Sequence, residues 1–148
     1  MKDQDISIVH IASHGQFGGD VANTFLLTFD GKITMADLDQ AVGLFRFRDK
    51  PLELLTLSAC ETAAGDDRAA LGLAGVAVKA GARSVLATLW TVSDRASAEL
   101  VTDFYRNLRS DSTSRAQALQ RAQLALIEQP GWQHPAYWAA FILISGWL

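Results

Sequence analysis

Apolar residues along this chain follow two spacings. Dense runs, such as Ile6-Ser7-Ile8-Val9-His10-Ile11-Ala12, place apolar side chains at both odd and even positions. The stretches 5–12, 52–58 and 83–90 share this pattern, which predicts strands covered on both faces by helices, as in a parallel sheet. Between them the spacing is helical. Leu100, Val101, Phe104, Tyr105 and Leu108 form one stripe in a helix predicted from Ser93-Asp94 to about Leu108. Ala118, Leu119, Ala122 and Leu126 form another within 114–128. Thr34 stands three residues before Asp37, a capping-box start for a helix of roughly ten residues. Arg68 to Ala80 reads as an Ala- and Gly-rich helix with Gly81 as its C-terminal cap. Gly72 and Gly75 inside it cost helix stability, and close packing of helix on sheet is the expected compensation. A short strand at 23–29, closed by Asp30-Gly31, and a final aromatic strand at 137–145 complete the elements. Segments 13–22 and 62–67 read as loops. Strands alternating with helices predict an α/β fold with a mostly parallel sheet.

Composition narrows this further. The 148 residues fit one domain, 1–148, and 49% hydrophobic residues are enough for a core. A single cysteine allows no internal disulfide, which points to a reducing, cytoplasmic setting. The net charge of −3 gives no basic surface for nucleic acid. The polar N-terminus carries no signal-peptide pattern. No apolar stretch reaches the ~20 residues of a membrane span, so no membrane partner is expected. Metal-ligand spacing and phosphate-binding glycine loops are lacking too, so no cofactor or metal is expected.

Candidate chemistry gathers where two predicted strands end. Leu54-Leu55-Thr56-Leu57-Ser58-Ala59-Cys60 delivers a thiol, and His10-Ile11-Ala12-Ser13-His14-Gly15 delivers an imidazole. Ligands collect at the carboxyl ends of parallel strands. A thiol is mostly protonated at neutral pH, and a nearby imidazole can take its proton and return one to a leaving amine. His14 and Cys60 are therefore the candidate peptidase dyad. Gly15, after the histidine, allows close backbone approach and an N–H aimed at an oxyanion. His10, inside its strand, reads as a core histidine, and His134, before Pro135, as structural. Glu61, Asp66, Asp67 and Asp94 cluster at the same predicted end of the sheet. They fit solvated loops and, for Asp94, a helix start; the functional reading is a pocket for a basic side chain. Trp90, Trp132, Trp138 and Trp147 read as packing residues.

Four motifs occur in order: His-Ile-Ala-Ser-His-Gly at 10–15, Leu-Ser-Ala-Cys-Glu-Thr-Ala at 57–63, Thr-Leu-Trp-Thr-Val-Ser-Asp at 88–94 and His-Pro-Ala-Tyr-Trp-Ala-Ala-Phe-Ile-Leu-Ile at 134–144. Together they resemble the CHAT domain, a caspase-like cysteine peptidase family related to separase. The resemblance implies a caspase–haemoglobinase fold with His14 and Cys60 as the dyad and Gly15 as the family glycine. Asp94 then falls on the position that in the separase branch contacts a basic residue before the cut. The expected activity is cleavage of a protein substrate; the alternative is a catalytically inactive or truncated module acting in protein binding or regulation. Family domains begin well before the histidine strand, so the chain reads as the C-terminal half to two thirds of one, lacking N-terminal strands. The missing strands are expected upstream or from a partner chain, and the resemblance to bacterial members implies a tetratricopeptide-like repeat domain before this region. Self-association through an exposed sheet edge is expected otherwise.

Overall fold

The computed structural model describes residues 7–16, 24–44, 51–61, 67–109 and 112–145; at 59–61 and 67–73 it describes the backbone alone. Six strands and five helices follow one another: β1 (Ile8–Gln16), β2 (Phe25–Leu27), β3 (Lys32–Thr34), α1 (Met35–Gly43), β4 (Leu54–Glu61), α2 (Asp67–Ala80), β5 (Ser84–Thr88), α3 (Asp94–Leu108), α4 (Arg115–Ile127), α5 (Pro135–Trp138) and β6 (Phe141–Ser145). They build one sheet in the order β3-β2-β1-β4-β5-β6. The centre, β1-β4-β5, is parallel. Antiparallel strands close it on both sides: β2 and β3 beyond β1, and β6 beyond β5. This is a mixed α/β fold of the caspase-like type, with the expected parallel core and margins that strand spacing alone did not predict.

Helices cover the two faces, and the alternation along the central strands sorts residues between them. Leu55, Leu57, Val85 and Ala87 pack with Leu38, Val42 and Ala77, under α1 and α2. Leu54 and Leu86 pack with Leu100, Phe104, Ala122 and Leu126, under α3 and α4. All five residues of β5 are buried. This double burial is the physical source of the dense apolar runs.

β1 departs from that pattern. Val9 and Ile11 pack onto the α1/α2 core. On the other face Ile8 is 43% exposed, and His10, Ala12 and His14 are open to solvent as well. The helices α3 and α4 stand chiefly over β4 and β5, and on this face of β1 Tyr105 of α3 reaches across only as far as His10. The expectation of a strand covered on both sides is therefore corrected. β1 also runs on through Ser13, His14, Gly15 and Gln16, which the sequence reading placed in a loop. Pairing explains the extension: Ser13, His14 and Gly15 lie opposite Ala59, Cys60 and Glu61, so β4 too continues past Ser58.

Local signals act as expected at most element ends. Thr34 and Asp37 form a reciprocal capping box on α1. Ser114 and Gln117 form another on α4, a pair the sequence reading passed over. Gly81 has φ +118°, a conformation that favours glycine, where the chain leaves α2 for β5. Gly75 behaves otherwise: it faces solvent, and a Cβ there would meet no atom within 4 Å. Close packing does not compensate its cost. Two short elements differ from the reading. Within the predicted strand at 23–29 the strand β2 spans Phe25–Leu27, and the turn where Thr28 N–H donates to Gly31 O leads into a second short strand, β3, that the reading did not contain. Tyr137 and Trp138, read as the start of the last strand, belong instead to a single helical turn, α5, with Pro135 at its start and His134 Nδ1 accepting from Ala136 N–H.

Candidate active site

The parallel pairing of β1 with β4 runs from Ile8 opposite Leu54 to Gly15 opposite Glu61. In that register His14 lies directly opposite Cys60. Neighbouring strands are spaced about 4.8 Å apart, so the two Cα positions are adjacent. The structure thus brings the sequence-predicted imidazole and thiol positions together, inside the last residues of two strands rather than in loops beyond them. The Cys60 side chain lies outside the described set. Gly15 is buried in the ladder, between Leu26 of β2 and Glu61 of β4.

Beside His14 opens a cleft of about 280 Å³. Ala12, Ser13 and His14 of β1 form one wall, with Ser58 of β4 and Thr88 of β5. The start of α3 forms the other wall through Asp94, Ser97 and Ala98. His14 and Asp94, 80 residues apart in the chain, therefore line one space. Small side chains on both walls leave the room.

The place of Asp94 is fixed by the connection from β5 to α3. Leu89 N–H donates to Ala140 O, and Trp90 Nε1–H donates to Ala136 O. Val92 is buried among the α3/α4 core residues. The tryptophan motif at 88–94 is thus pinned by the segment at 134–144, which explains why the two occur together. Asp94 is the acidic residue of the first turn of α3, favourable to the helix dipole, and it remains exposed. Ser93, at the cap position, makes no side-chain capping bond. Of the other acidic candidates, Asp66 falls outside the described residues, and Glu61 and Asp67 are described by backbone alone. Trp90, Trp132 and Trp138 pack against the α3/α4 core as expected, while Trp147 lies outside the described residues.

His10 is the residue the sequence reading misjudged. It is not a core histidine: it stands on the open face of β1, four residues before His14. Its Nε2 lies 2.8 Å from Ser58 Oγ, and its ring lies 5.8 Å from the Tyr105 ring. Partial burial against those neighbours lowers its pKa below the ordinary histidine value. Tyr105 O–H in turn donates to Thr56 Oγ1 at 2.8 Å, and partial burial raises the phenol pKa. The spacing carried a signal: His10 and His14 share parity in one strand, so if His14 faces a cleft, His10 shares its face.

The chain belongs to the CHAT domain family, whose model matches residues 1–146. Membership points to caspase-like peptidases, in line with the four motifs. No curated protein matches the chain. Among the described residues no group of three or more His, Cys, Asp or Glu side chains is arranged to hold a metal ion. No described helix is long and apolar enough to cross a membrane.

Proposed function

We propose that the protein is a cysteine endopeptidase acting on a protein substrate through a His14–Cys60 dyad. The observation that carries this reading is the register of β1 and β4, which sets position 14 opposite position 60 at the carboxyl ends of two parallel strands, beside a cleft. His14 takes the thiol proton, Cys60 attacks the scissile carbonyl, His14 returns the proton to the leaving amine as the C–N bond breaks, and a water activated by His14 then cleaves the Cys60 thioester and restores the thiol. The backbone N–H of Cys60 is the oxyanion donor in this reading, while Gly15 keeps the strand beside it free of a side chain. Asp94 receives a basic side chain immediately before the cut, because an exposed carboxylate on the far wall of the cleft can hold a cation by charge-assisted hydrogen bonds.

The test is labelling with an electrophilic peptidyl ketone carrying Arg or Lys before the reactive carbon. Wild-type protein is expected to label once, at Cys60, and Cys60→Ala not at all. His14→Ala is expected to label slower by a factor of roughly 10² or more, the usual range for loss of a general base. Circular dichroism of both variants should match wild type. Cleavage of peptides by Cys60→Ala at the wild-type rate would remove the dyad. Failure of the wild type to label or cleave would favour the alternative of a non-catalytic binding or regulatory module.

A further inference from the structure

Between Leu54 and Cys60 the even-numbered positions of β4 are both hydroxyl residues: Thr56, then Ser58. Each hydroxyl meets a ring. Thr56 is 1% exposed, and its Oγ1 accepts from Tyr105. Ser58 is only half-buried, lines the cleft, and lies within hydrogen-bond distance of His10. The register explains the diagonal contact. His10 is opposite Thr56, and the residue opposite Ser58 is Ala12. An alanine leaves room for the imidazole to lean forward along the sheet to Ser58. A bulkier residue at 12 would fill that space.

A serine hydroxyl has one proton to give and two lone pairs to receive. When the imidazole is neutral with its proton on Nδ1, Nε2 accepts the Ser58 proton. Both lone pairs of Oγ then remain available. The cleft they border already holds one carboxylate, Asp94, on its opposite wall. An ammonium has three rotatable N–H donors spread around its axis, which acceptors on more than one side satisfy.

We propose that Ser58 is a specificity-determining residue that accepts a hydrogen bond from the ammonium of a lysine side chain bound in the cleft, and that His10 is the positioning residue that holds the hydroxyl in its accepting orientation. The assignment rests on the peptidase reading above and adds a second acceptor, on the sheet, to the one at Asp94. Thr56 serves as the internal contrast, since its hydroxyl is committed to Tyr105 and does not border the cleft.

The experiment compares two peptide substrates that differ only before the cut: lysine, or norleucine, which keeps the length and lacks the charge. The readout is the ratio of kcat/KM for lysine to that for norleucine, with kcat and KM resolved. Ser58→Ala is expected to lower the ratio about tenfold, chiefly through a raised KM for lysine, the scale of one lost charge-assisted hydrogen bond. His10→Phe, which keeps a ring and removes the acceptor, is expected to lower it similarly. His10→Gln, whose amide oxygen can accept from Ser58, is expected to keep more of it. Thermal melts establish that each variant is folded. An unchanged ratio in Ser58→Ala overturns the proposal, and an unchanged ratio in His10→Phe overturns the positioning role. A wild type that cleaves both peptides equally overturns this proposal together with the basic pocket at Asp94, and leaves the His14–Cys60 dyad standing. A wild type that cleaves neither overturns both.

Discussion

The most exacting prediction concerns the register that brings positions 14 and 60 together, and it can be checked without any substrate. His14→Cys places a second thiol in a protein whose native sequence has one. Positions 14 and 60 are opposite in a parallel pair, so their Cα atoms lie about 4.8 Å apart. Disulfides form across Cα separations of roughly 4.4–6.8 Å. Mild oxidation of His14→Cys is therefore expected to join β1 to β4. The closed loop holds about 46 residues, for which the chain-entropy relation gives up to roughly 4 kcal/mol of stabilisation, with any native-state strain subtracting from it. For a domain of this size each kcal/mol raises the melting temperature by roughly 2–4 °C, so the upper bound is a rise of about 8–16 °C that a reductant abolishes. The assay is thiol titration in denaturant before and after oxidation, with paired melts. Ser13→Cys is the control. Position 13 lies opposite Ala59, successive side chains of a strand point to opposite faces, and Ser13 Oγ reaches Leu27 O on the β2 side. It is expected to keep two free thiols. Closure in Ser13→Cys with none in His14→Cys would mean that β1 is slipped by one residue, and the dyad would lose its geometric basis.

Three further outcomes follow from burial and hydrogen bonding. Phe104 of α3 is fully buried between its helix, α4 and the sheet, so Phe104→Ala is expected to cost about 3–5 kcal/mol in urea unfolding; a loss under 1 kcal/mol would mean that this core is loosely formed. Gly75→Ala is expected to stabilise by about 0.5–1 kcal/mol, because the position is helical, open to solvent and clear of neighbours; a destabilisation would show that something covers that face. The His10 pKa is lower in the folded protein than in the unfolded chain, so between the two values the unfolded chain binds more protons. That contribution to stability is present above the ordinary histidine pKa of about 6.5 and is lost as pH falls through the folded value. His10→Gln is expected to flatten urea-unfolding stability against pH in that window, and an unchanged slope would mean that His10 is not held neutral by its neighbours.

Much of this molecule was set by local physics that the sequence displays. Dense apolar runs marked β4 and β5 because both faces of the central strands are buried. The Thr34–Asp37 box marked the start of α1, and the stripes of α3 and α4 fell on the residues that pack. Four motifs in order named the family. His14, Cys60 and Asp94 were legible as candidates because small residues and a helix start surround them. The tertiary structure decided what spacing cannot express. Which strands pair, and in what register, depends on contacts between segments tens of residues apart, and register alone sets position 14 opposite position 60. The extension of β1 and β4 past Ala12 and Ser58 came from their pairing with each other; polar and small residues there carry no strand signal of their own. The open face of β1 follows from where α3 and α4 rest, over β4 and β5, so an apolar strand could look doubly buried and still carry His10 and His14 in the open. His10 was misread for the same reason. A residue inside a strand takes its character from the layer above it, and the layer above β1 is the cleft.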